Sequence, residues 1–250
     1  MAHELWVDPT NGIKNRLLSK VQREIFSKIL DTIHPSVVHT TNYWYRDQLR
    51  GLGYPAAILP LFSNIPFVAT THVPPNANRA QWNFLLFGSI NKDWRPEPLF
   101  HFIEQARRAH GVDLCRFVSV GNLPQSAIQL WDSFPSLGYA AFRFSRLGEL
   151  SPEDASIQMQ RADFGIAVTP SHLIGKSASA AAMHAHGLPI IINRLSEHCV
   201  DWQNHLKQTR HYILMDDTFI AQIGSATKFR PIDSLDAVAD QFLTSLRQGV

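Results

Sequence analysis

The stretch from Phe164 to Ser177 combines residue types that bind anions. It reads FGIAVTPSHLIGKS and leads into an alanine-rich segment, a pattern that predicts a strand, a loop and a helix. A glycine permits close backbone approach, the free amides of a helix start carry positive partial charge, and lysine and serine add a cation and a hydroxyl. We predict a phosphate site formed by Ser171, His172, Gly175, Lys176 and Ser177. The alternative is that Gly175 only allows a tight turn and Ser177 only caps the helix.

The tripeptide Gly175-Lys176-Ser177 also invites comparison with the phosphate loop G-x-x-x-x-G-K-[ST] of nucleoside triphosphatases. That motif requires glycine at the position held by Pro170. Within the predicted domain after residue 80, four predicted strands precede the tripeptide, whereas the phosphate loop follows the first strand of its domain. The sequence therefore argues against a nucleoside triphosphatase.

Two other loops could reach the same crevice, because both follow predicted strands. The first contains two cations that either contact phosphate or are solvated surface charges, and its candidate residues are Gly88, Ser89, Lys92 and Arg95. The second either frames a base through its backbone or is an ordinary turn. It consists of Gly148, Glu149 and Leu150.

The histidines do not form a metal-binding pattern. His184 and His186 are two residues apart near a helix end, so their side chains diverge, and we interpret them as cations near a helix C-terminus. His198 and His205 are predicted to be surface residues. No Ser/His/Asp order, G-x-S-x-G or H-E-x-x-H motif occurs. We therefore expect no metal and no cofactor, and hydrolase chemistry has no support.

Composition describes a globular protein. The 250 residues are 45% hydrophobic and 18% charged, with a formal net charge of +2 and no basic run interleaved with aromatic residues, which argues against nucleic acid as a partner. No apolar segment is long enough for a transmembrane helix, and no signal peptide pattern is present. Cys115 and Cys199 are interpreted as buried apolar residues. We expect a cytoplasmic protein, with peripheral membrane association left open.

Short apolar runs alternate with amphipathic segments after residue 80, which predicts an α/β fold with a doubly wound, Rossmann-like parallel sheet. The predicted strands are 82–88, 115–120, 142–144, 164–169, 188–193 and 212–215. The predicted helices are 98–109, 126–134, 152–161, 178–186 and 234–247. The start of the helix at Pro152 has a specific signal, because Ser151 can cap it and Glu153 and Asp154 fit its first turn.

Residues 1–80 predict only part of a second α/β domain. Helices are expected at 14–33 and 43–52, strands at 37–40 and 56–62, and a linker at 70–80. Two βα steps do not bury both faces of a sheet. We therefore predict two domains, a partial α/β segment with its linker at 1–80 and a ligand-binding domain at 81–250.

Four segments share a wider pattern: FGSI at 87–90, LGELSPE at 147–153 with RAD at 161–163, TPS at 169–171 with AM at 182–183 and GLPI at 187–190, and LPLFSNI at 59–65. Together they resemble the group 1, or family 4, retaining glycosyltransferases of the GT-B fold over residues 35–248. The resemblance implies a nucleotide-diphosphate-sugar donor, with the diphosphate at the loop before the alanine-rich helix and the base near Gly148, Glu149 and Leu150. It also implies an acceptor, which remains unknown, and transfer with retention.

The sequence departs from that family in three places. The family's paired glutamates, eight positions apart, would fall at Leu173 and Ala181, so Lys176 and Ser177 are expected to serve instead. Ser89 replaces a diphosphate-binding arginine, which leaves Lys92 or Arg95. The acceptor-side domain is incomplete, which predicts either a truncated coding frame or a partner chain that supplies that half. The alternative function is a non-catalytic nucleotide-sugar binding module or the donor subunit of a split enzyme.

Overall fold

A computed structural model describes residues 5–7, 12–69, 80–90, 94–196, 200–209 and 211–248. The chain forms two compact units, Met1–Leu61 with Leu235–Val250, and Phe62–Ser234. Within the described ranges, no helix has the length and apolar character needed to cross a membrane. Lys92, His198 and Cys199 lie outside the described residues, as do residues 70–79 of the linker predicted at 70–80.

The first unit is small and mostly helical. Its elements are α1 (Ile13–Ile33), β1 (His39–Thr40), α2 (Tyr43–Gly51), β2 (Ala57–Ile58) and α9 (Leu235–Gln248). The strands β1 and β2 pair in parallel. Leu30 and Leu49 form the buried centre of this unit, with Val38 and Tyr54 packed against them. The predicted helices are present, but each predicted strand shortens to two residues. Pro60 contributes to this in β2, because proline has no N–H to donate.

The second unit is built on a six-stranded parallel sheet. Its strands are β3 (Gln81–Phe87), β4 (Leu114–Val120), β5 (Phe142–Gly148), β6 (Phe164–Ala167), β7 (Ile190–Ile192) and β8 (Tyr212–Leu214). The spatial order is β5-β4-β3-β6-β7-β8, and every adjacent pair is parallel. This is the doubly wound Rossmann order, in which the direction of winding reverses between the two central strands. The predicted fold class is confirmed.

Helices connect these strands. They are α3 (Glu97–Ala109), α4 (Gln125–Ser133), α5 (Pro152–Arg161), α6 (Ala178–Ala185), α7 (Val200–Gln208) and α8 (Phe219–Ser225), with 3₁₀ turns at Phe134–Leu137 and Ser171–Lys176. The predicted start of α5 is confirmed, because the Ser151 hydroxyl accepts a hydrogen bond from the Asp154 N–H at 3.0 Å. Helices α7 and α8 were not predicted from the sequence.

One face of the sheet is packed with aromatic rings. Phe84 in β3 stacks on Phe117 in β4 at 4.8 Å, and Phe117 stacks on Phe144 in β5 at 5.0 Å. Phe100 of α3 packs edge-on against Phe117 at 5.1 Å. The opposite face carries smaller residues, because α6 approaches closely. A side chain at Gly165 in β6 would place its Cβ 2.7 Å from the Met183 sulfur.

The division into units differs from the predicted domain boundaries at two points. Helix α9 groups with the first unit, where the Gln241 side chain donates to the Ile58 carbonyl oxygen at 2.7 Å and Ser245 Oγ lies 2.9 Å from His39 Nε2. Residues after Leu61 group with the second unit, where the Val68 N–H donates to the Ser156 hydroxyl at 3.0 Å. Apolar periodicity locates a helix, but it does not show which sheet the helix covers.

Candidate functional site

The switch in strand order places a candidate site at the carboxyl ends of β3 and β6. In open α/β sheets of this kind, ligands bind in the crevice outside these strand ends. The chain leaves β3 at Gly88 and leaves β6 toward Thr169, and α6 begins just beyond. The predicted phosphate segment therefore lies beside the switch point.

Three hydroxyl groups gather at the N-terminus of α6. Ser177 is the N-cap residue and its hydroxyl accepts from the Ala180 N–H at 3.3 Å. Thr169 Oγ1 donates to Ser177 Oγ at 3.2 Å, and Ser177 Oγ lies 3.1 Å from Ser179 Oγ. Hydroxyls can accept or donate, and the helix terminus carries positive partial charge. The group is suited to an anionic oxygen.

The backbone of β3 comes close to this helix start through glycine. Gly88 has a φ of 89°, in the left-handed region that favours glycine, and a Cβ built there would lie 3.5 Å from the Ser179 Cβ. Its N–H donates to the Val120 carbonyl at 2.8 Å. Gly121, at the end of β4, packs so tightly on Gly88 that its own Cβ would lie 3.1 Å from the Gly88 Cα. The crevice floor is therefore backbone without side chains.

The segment Ser171–Lys176 is a 3₁₀ helix rather than the predicted loop. Ser171 is buried and anchors it, because its hydroxyl accepts from the Ser196 N–H at 3.0 Å and its carbonyl oxygen accepts from the Trp202 indole at 3.0 Å. His172, Gly175 and Lys176 are partly exposed on the same turn. The structure gives Ser171 a positioning role and leaves the other three as candidates for ligand contact.

Two residues that sequence analysis did not consider hold the crevice together. The Asn193 side-chain amide is oriented so that both of its polar atoms are hydrogen-bonded. Its nitrogen donates to the Ala167 carbonyl at 3.0 Å, and its oxygen accepts from the Trp94 indole N–H. Trp94 and Asn193 are both buried. This link fixes the segment before α3 to the ends of β6 and β7. A lone asparagine after an apolar run gives no signal of such a role.

Of the predicted pair of cations, Arg95 lies within the described residues and Lys92 does not. Arg95 is exposed and directly follows the anchored Trp94. Arg194 was not predicted. It directly follows Asn193, and its guanidinium donates to the Val168 carbonyl at 3.4 Å, beside the end of β6. Ser89 is exposed next to Gly88.

The third predicted loop is partly strand. β5 continues through Gly148, whose carbonyl oxygen accepts from the Gly121 N–H at 2.8 Å. Glu149 is exposed and Leu150 is partly buried against the core. These residues follow β5, which is separated from β6 by β4 and β3, so they can reach only the far side of a ligand that lies across the strand ends.

The predicted role of His184 and His186 is wrong. Burial lowers the pKa of both, that of His184 to about 4, so neither is a cation at neutral pH. His184 Nε2 lies 3.0 Å from His211 Nδ1. His186 Nε2 lies 2.9 Å from the Ser156 hydroxyl, and its Nδ1 lies 2.8 Å from the Ala182 carbonyl oxygen. Both histidines are packing groups away from the crevice.

The first unit contains a buried polar run that starts at the last residue of β1. Asn42 caps α2 by accepting from the Tyr45 N–H at 2.8 Å. Among the described residues, Thr40 Oγ1, Thr41 Oγ1 and Asn42 Nδ2 are buried without a hydrogen-bond partner. Such groups are costly to bury unpaired, so they point to a polar site. The described ranges contain no cluster of three or more His, Cys, Asp or Glu side chains that could hold a metal.

A solved structure has a similar fold. The apo lipopolysaccharide outer core galactosyltransferase WaaB matches 87% of this chain and 63% of its own length, with a TM-score of 0.52 and 12% identity. A putative UDP-N-acetylglucosamine 2-epimerase from Listeria monocytogenes matches 99% of this chain and 66% of its own length, with a TM-score of 0.45 and 9% identity.

The chain thus spans less than two thirds of the WaaB structure that it matches. No family model matches the sequence, and no curated protein matches it. At these identities the likeness shows the fold alone, a Rossmann-like α/β arrangement of the GT-B type.

Proposed function

We propose that this chain binds a nucleotide-diphosphate sugar at the carboxyl ends of β3 and β6 and acts as a glycosyltransferase. One observation carries the proposal: the strand order places the Gly88 backbone against the hydroxyl-rich start of α6 at the switch point. That position binds nucleotides in doubly wound sheets. The fold likeness to the galactosyltransferase WaaB supports the reaction class.

The proposed diphosphate site is the N-terminus of α6. Ser177, Ser179 and Thr169 present hydroxyls there, and Lys176 adds a positive charge from the adjoining turn. Arg194 and Arg95 are proposed to neutralise further negative charge of the diphosphate. Lys92 is another candidate for this role. The base extends toward Gly148, Glu149 and Leu150.

A retaining transfer to an unknown acceptor completes the proposal. The first unit has only a two-stranded sheet in its described part. A partner chain that completes the acceptor side therefore remains part of the proposal.

A second candidate is a non-catalytic donor-binding module. Leu173 and Ala181, both apolar, occupy the positions at which the resembling family carries glutamates. Loss of both carboxylates removes groups that would hold sugar hydroxyls, while the diphosphate site needs neither. Binding without turnover is the outcome that favours this candidate.

Binding is tested by isothermal titration calorimetry with UDP, GDP and ADP, since the base is unknown. We expect Ser179→Asp to abolish binding of the preferred nucleotide, because a carboxylate at the second residue of α6 repels phosphate. The same carboxylate favours the helix terminus, so the protein should stay folded. Ser126→Asp is the matched control, because Ser126 is the second residue of α4. Equal affinity in wild type and Ser179→Asp would remove α6 from the site.

Lys176→Ala tests the charge contribution. Loss of one charge-assisted contact should weaken nucleotide binding by about 1.5 to 3 kcal/mol. Lys28→Ala, an exposed lysine of α1, is the control. Unchanged affinity for Lys176→Ala would exclude this lysine from the site.

Turnover is tested separately with radiolabelled nucleotide sugars and a panel of acceptors. We expect slow donor hydrolysis by the isolated chain and poor transfer without a partner, because transfer needs the acceptor held about 3 to 3.5 Å from the sugar carbon. Transfer by the isolated chain at about 1 per second or faster would contradict the need for a partner. Donor binding with neither hydrolysis nor transfer, even with partner added, would favour the non-catalytic module.

A further inference from the structure

Helix α1 exposes an apolar ridge along its whole length. Six of its members recur at every fourth position, and Leu18 is the seventh. Their residues are 41% to 78% exposed: Ile13, Leu17, Leu18, Val21, Ile25, Ile29 and Ile33. Side chains four residues apart are neighbours on a helix, so these residues form one continuous surface. The sequence predicts this helix at 14–33, and the structure shows that these apolar side chains face outward. A patch of this kind marks an interaction surface.

The opposite face of α1 already has its partners. Leu30 is buried in the small core of the first unit, and Ser19 is also buried. Phe26 packs edge-on against Trp6 at 6.2 Å, and the Gln22 side chain accepts from the Val7 N–H at 2.9 Å. Turning the ridge inward would break all of these interactions. The ridge is therefore held outward by the folded unit.

Basic side chains flank the ridge. Helix α1 carries five Lys or Arg residues and two acidic residues. Lys14 and Lys20 each lie three residues from Leu17, and Lys28 lies three residues from Ile25, so all three are helical neighbours of ridge members. All three lysines are exposed. Long lysine stems can lie along an apolar surface while their ammonium groups stay at a polar boundary.

We propose that α1 lies in the interface of an anionic lipid bilayer, with the ridge among the acyl chains and the flanking lysines at the headgroups. A helix of exposed aliphatic residues bordered by basic residues fits this environment. At 21 residues, it presents about 30 Å of apolar surface. Contact with α1 of a second copy would instead bring two basic helices together, which like charges oppose. The inference does not depend on the proposed donor site.

The test is co-sedimentation of the full chain with lipid vesicles. One set contains phosphatidylcholine alone and the other contains phosphatidylcholine with phosphatidylglycerol. We expect binding to the anionic vesicles and weaker binding to the neutral ones, with the difference shrinking as salt is raised. Neutralisation of Lys14 and Lys28 to glutamine should lower partitioning by about fivefold for each residue.

Ridge variants separate lipid binding from other uses of the surface. Val21→Asp with Ile25→Asp should lower partitioning at least about tenfold, because a buried methylene contributes about 0.8 kcal/mol and a carboxylate adds repulsion. Leu137→Asp with Ile232→Asp replaces exposed apolar residues of the second unit and should leave partitioning unchanged. Circular dichroism and thermal melting check that all variants are folded.

Three outcomes would overturn the proposal. The first is no co-sedimentation of wild type with anionic vesicles at low salt. The second is equal partitioning of wild type and the folded ridge variant. The third is a dimer in sedimentation velocity that the ridge variant converts to monomer, which would assign the ridge to contact between copies.

Discussion

His184 shows how burial decides the charge of a residue. Its ring lies beside His211, Tyr212 and Phe229, and burial is the main cause that lowers its pKa to about 4. The nearby His211 ring adds to this effect, and its own pKa is also lowered by burial. Position near a helix C-terminus predicts a cation, but removal from water outweighs the helix dipole here. That removal depends on residues up to 45 positions away and is invisible in the local sequence.

The pKa of His184 predicts how stability depends on pH. Because the folded pKa lies below the unfolded value of 6.5, the unfolded state binds the proton more readily. The stabilisation is complete above pH 6.5 and is lost progressively down to about pH 4, by up to about 3 kcal/mol. His184→Gln should flatten the pH dependence of the free energy of unfolding over this range.

Urea denaturation at several values between pH 4 and 8 measures this effect. His101→Gln, an exposed histidine of α3, is the control and should keep the wild-type slope. A slope that stays unchanged in His184→Gln would show that other groups cause the acid sensitivity.

At the scale of elements, local sequence signals were sufficient to predict those helices and strands whose formation depends mainly on their own residues. The cap at Ser151 and the six apolar runs of the large sheet predicted α5 and β3 to β8. Both α7 and α8 are short and were not predicted. Helix α7 is mostly polar, and α8 directly follows a turn. Packing between elements was also invisible: Gly165 gives no sign that Met183 will press against it.

Gly187 is the sharpest test of such packing. It has a φ of 78° after α6, and a Cβ there would lie 2.1 Å from the Phe229 carbonyl oxygen. We expect Gly187→Ala to lower the free energy of unfolding by about 2 to 5 kcal/mol, through the left-handed backbone and the clash together. Gly111 has a φ of 65° with nothing near its Cβ position, so Gly111→Ala should lower it by about 1 to 2 kcal/mol.

Chemical denaturation of both variants measures the comparison. Because both glycines have positive φ, the difference between them isolates the clash with the Phe229 backbone. Equal destabilisation of the two variants would show that the segment at Phe229 moves away from the new Cβ without lowering the free energy of unfolding. The close contact would then not contribute to stability.

At the scale of the whole molecule, the sequence predicted the parallel sheet and the segment at its switch point, but not the complete crevice. The glycine and hydroxyl groups come from β3, β6 and α6, and periodicity shows that these elements exist. The link between Trp94 and Asn193 and the position of Arg194 depend on long-range packing. The grouping of α9 with the first unit also depends on pairings across nearly the whole chain.

Those pairings predict what a shortened chain would do. Gln241 and Ser245 hydrogen-bond with Ile58 and His39, and the Phe242 ring packs on the His39 ring at 5.6 Å. Deletion of residues 235–250 should therefore release β1 and β2, while the six-stranded sheet keeps its own core. Hydrogen exchange followed by mass spectrometry should show faster exchange at residues 36–58 and unchanged protection of β3 to β8.

The double variant Gln241→Ala, Ser245→Ala removes only the hydrogen bonds and should give a smaller increase at the same residues. Exchange that rises equally in β3 to β8 would show that α9 stabilises the chain as one cooperative unit, contrary to this assignment.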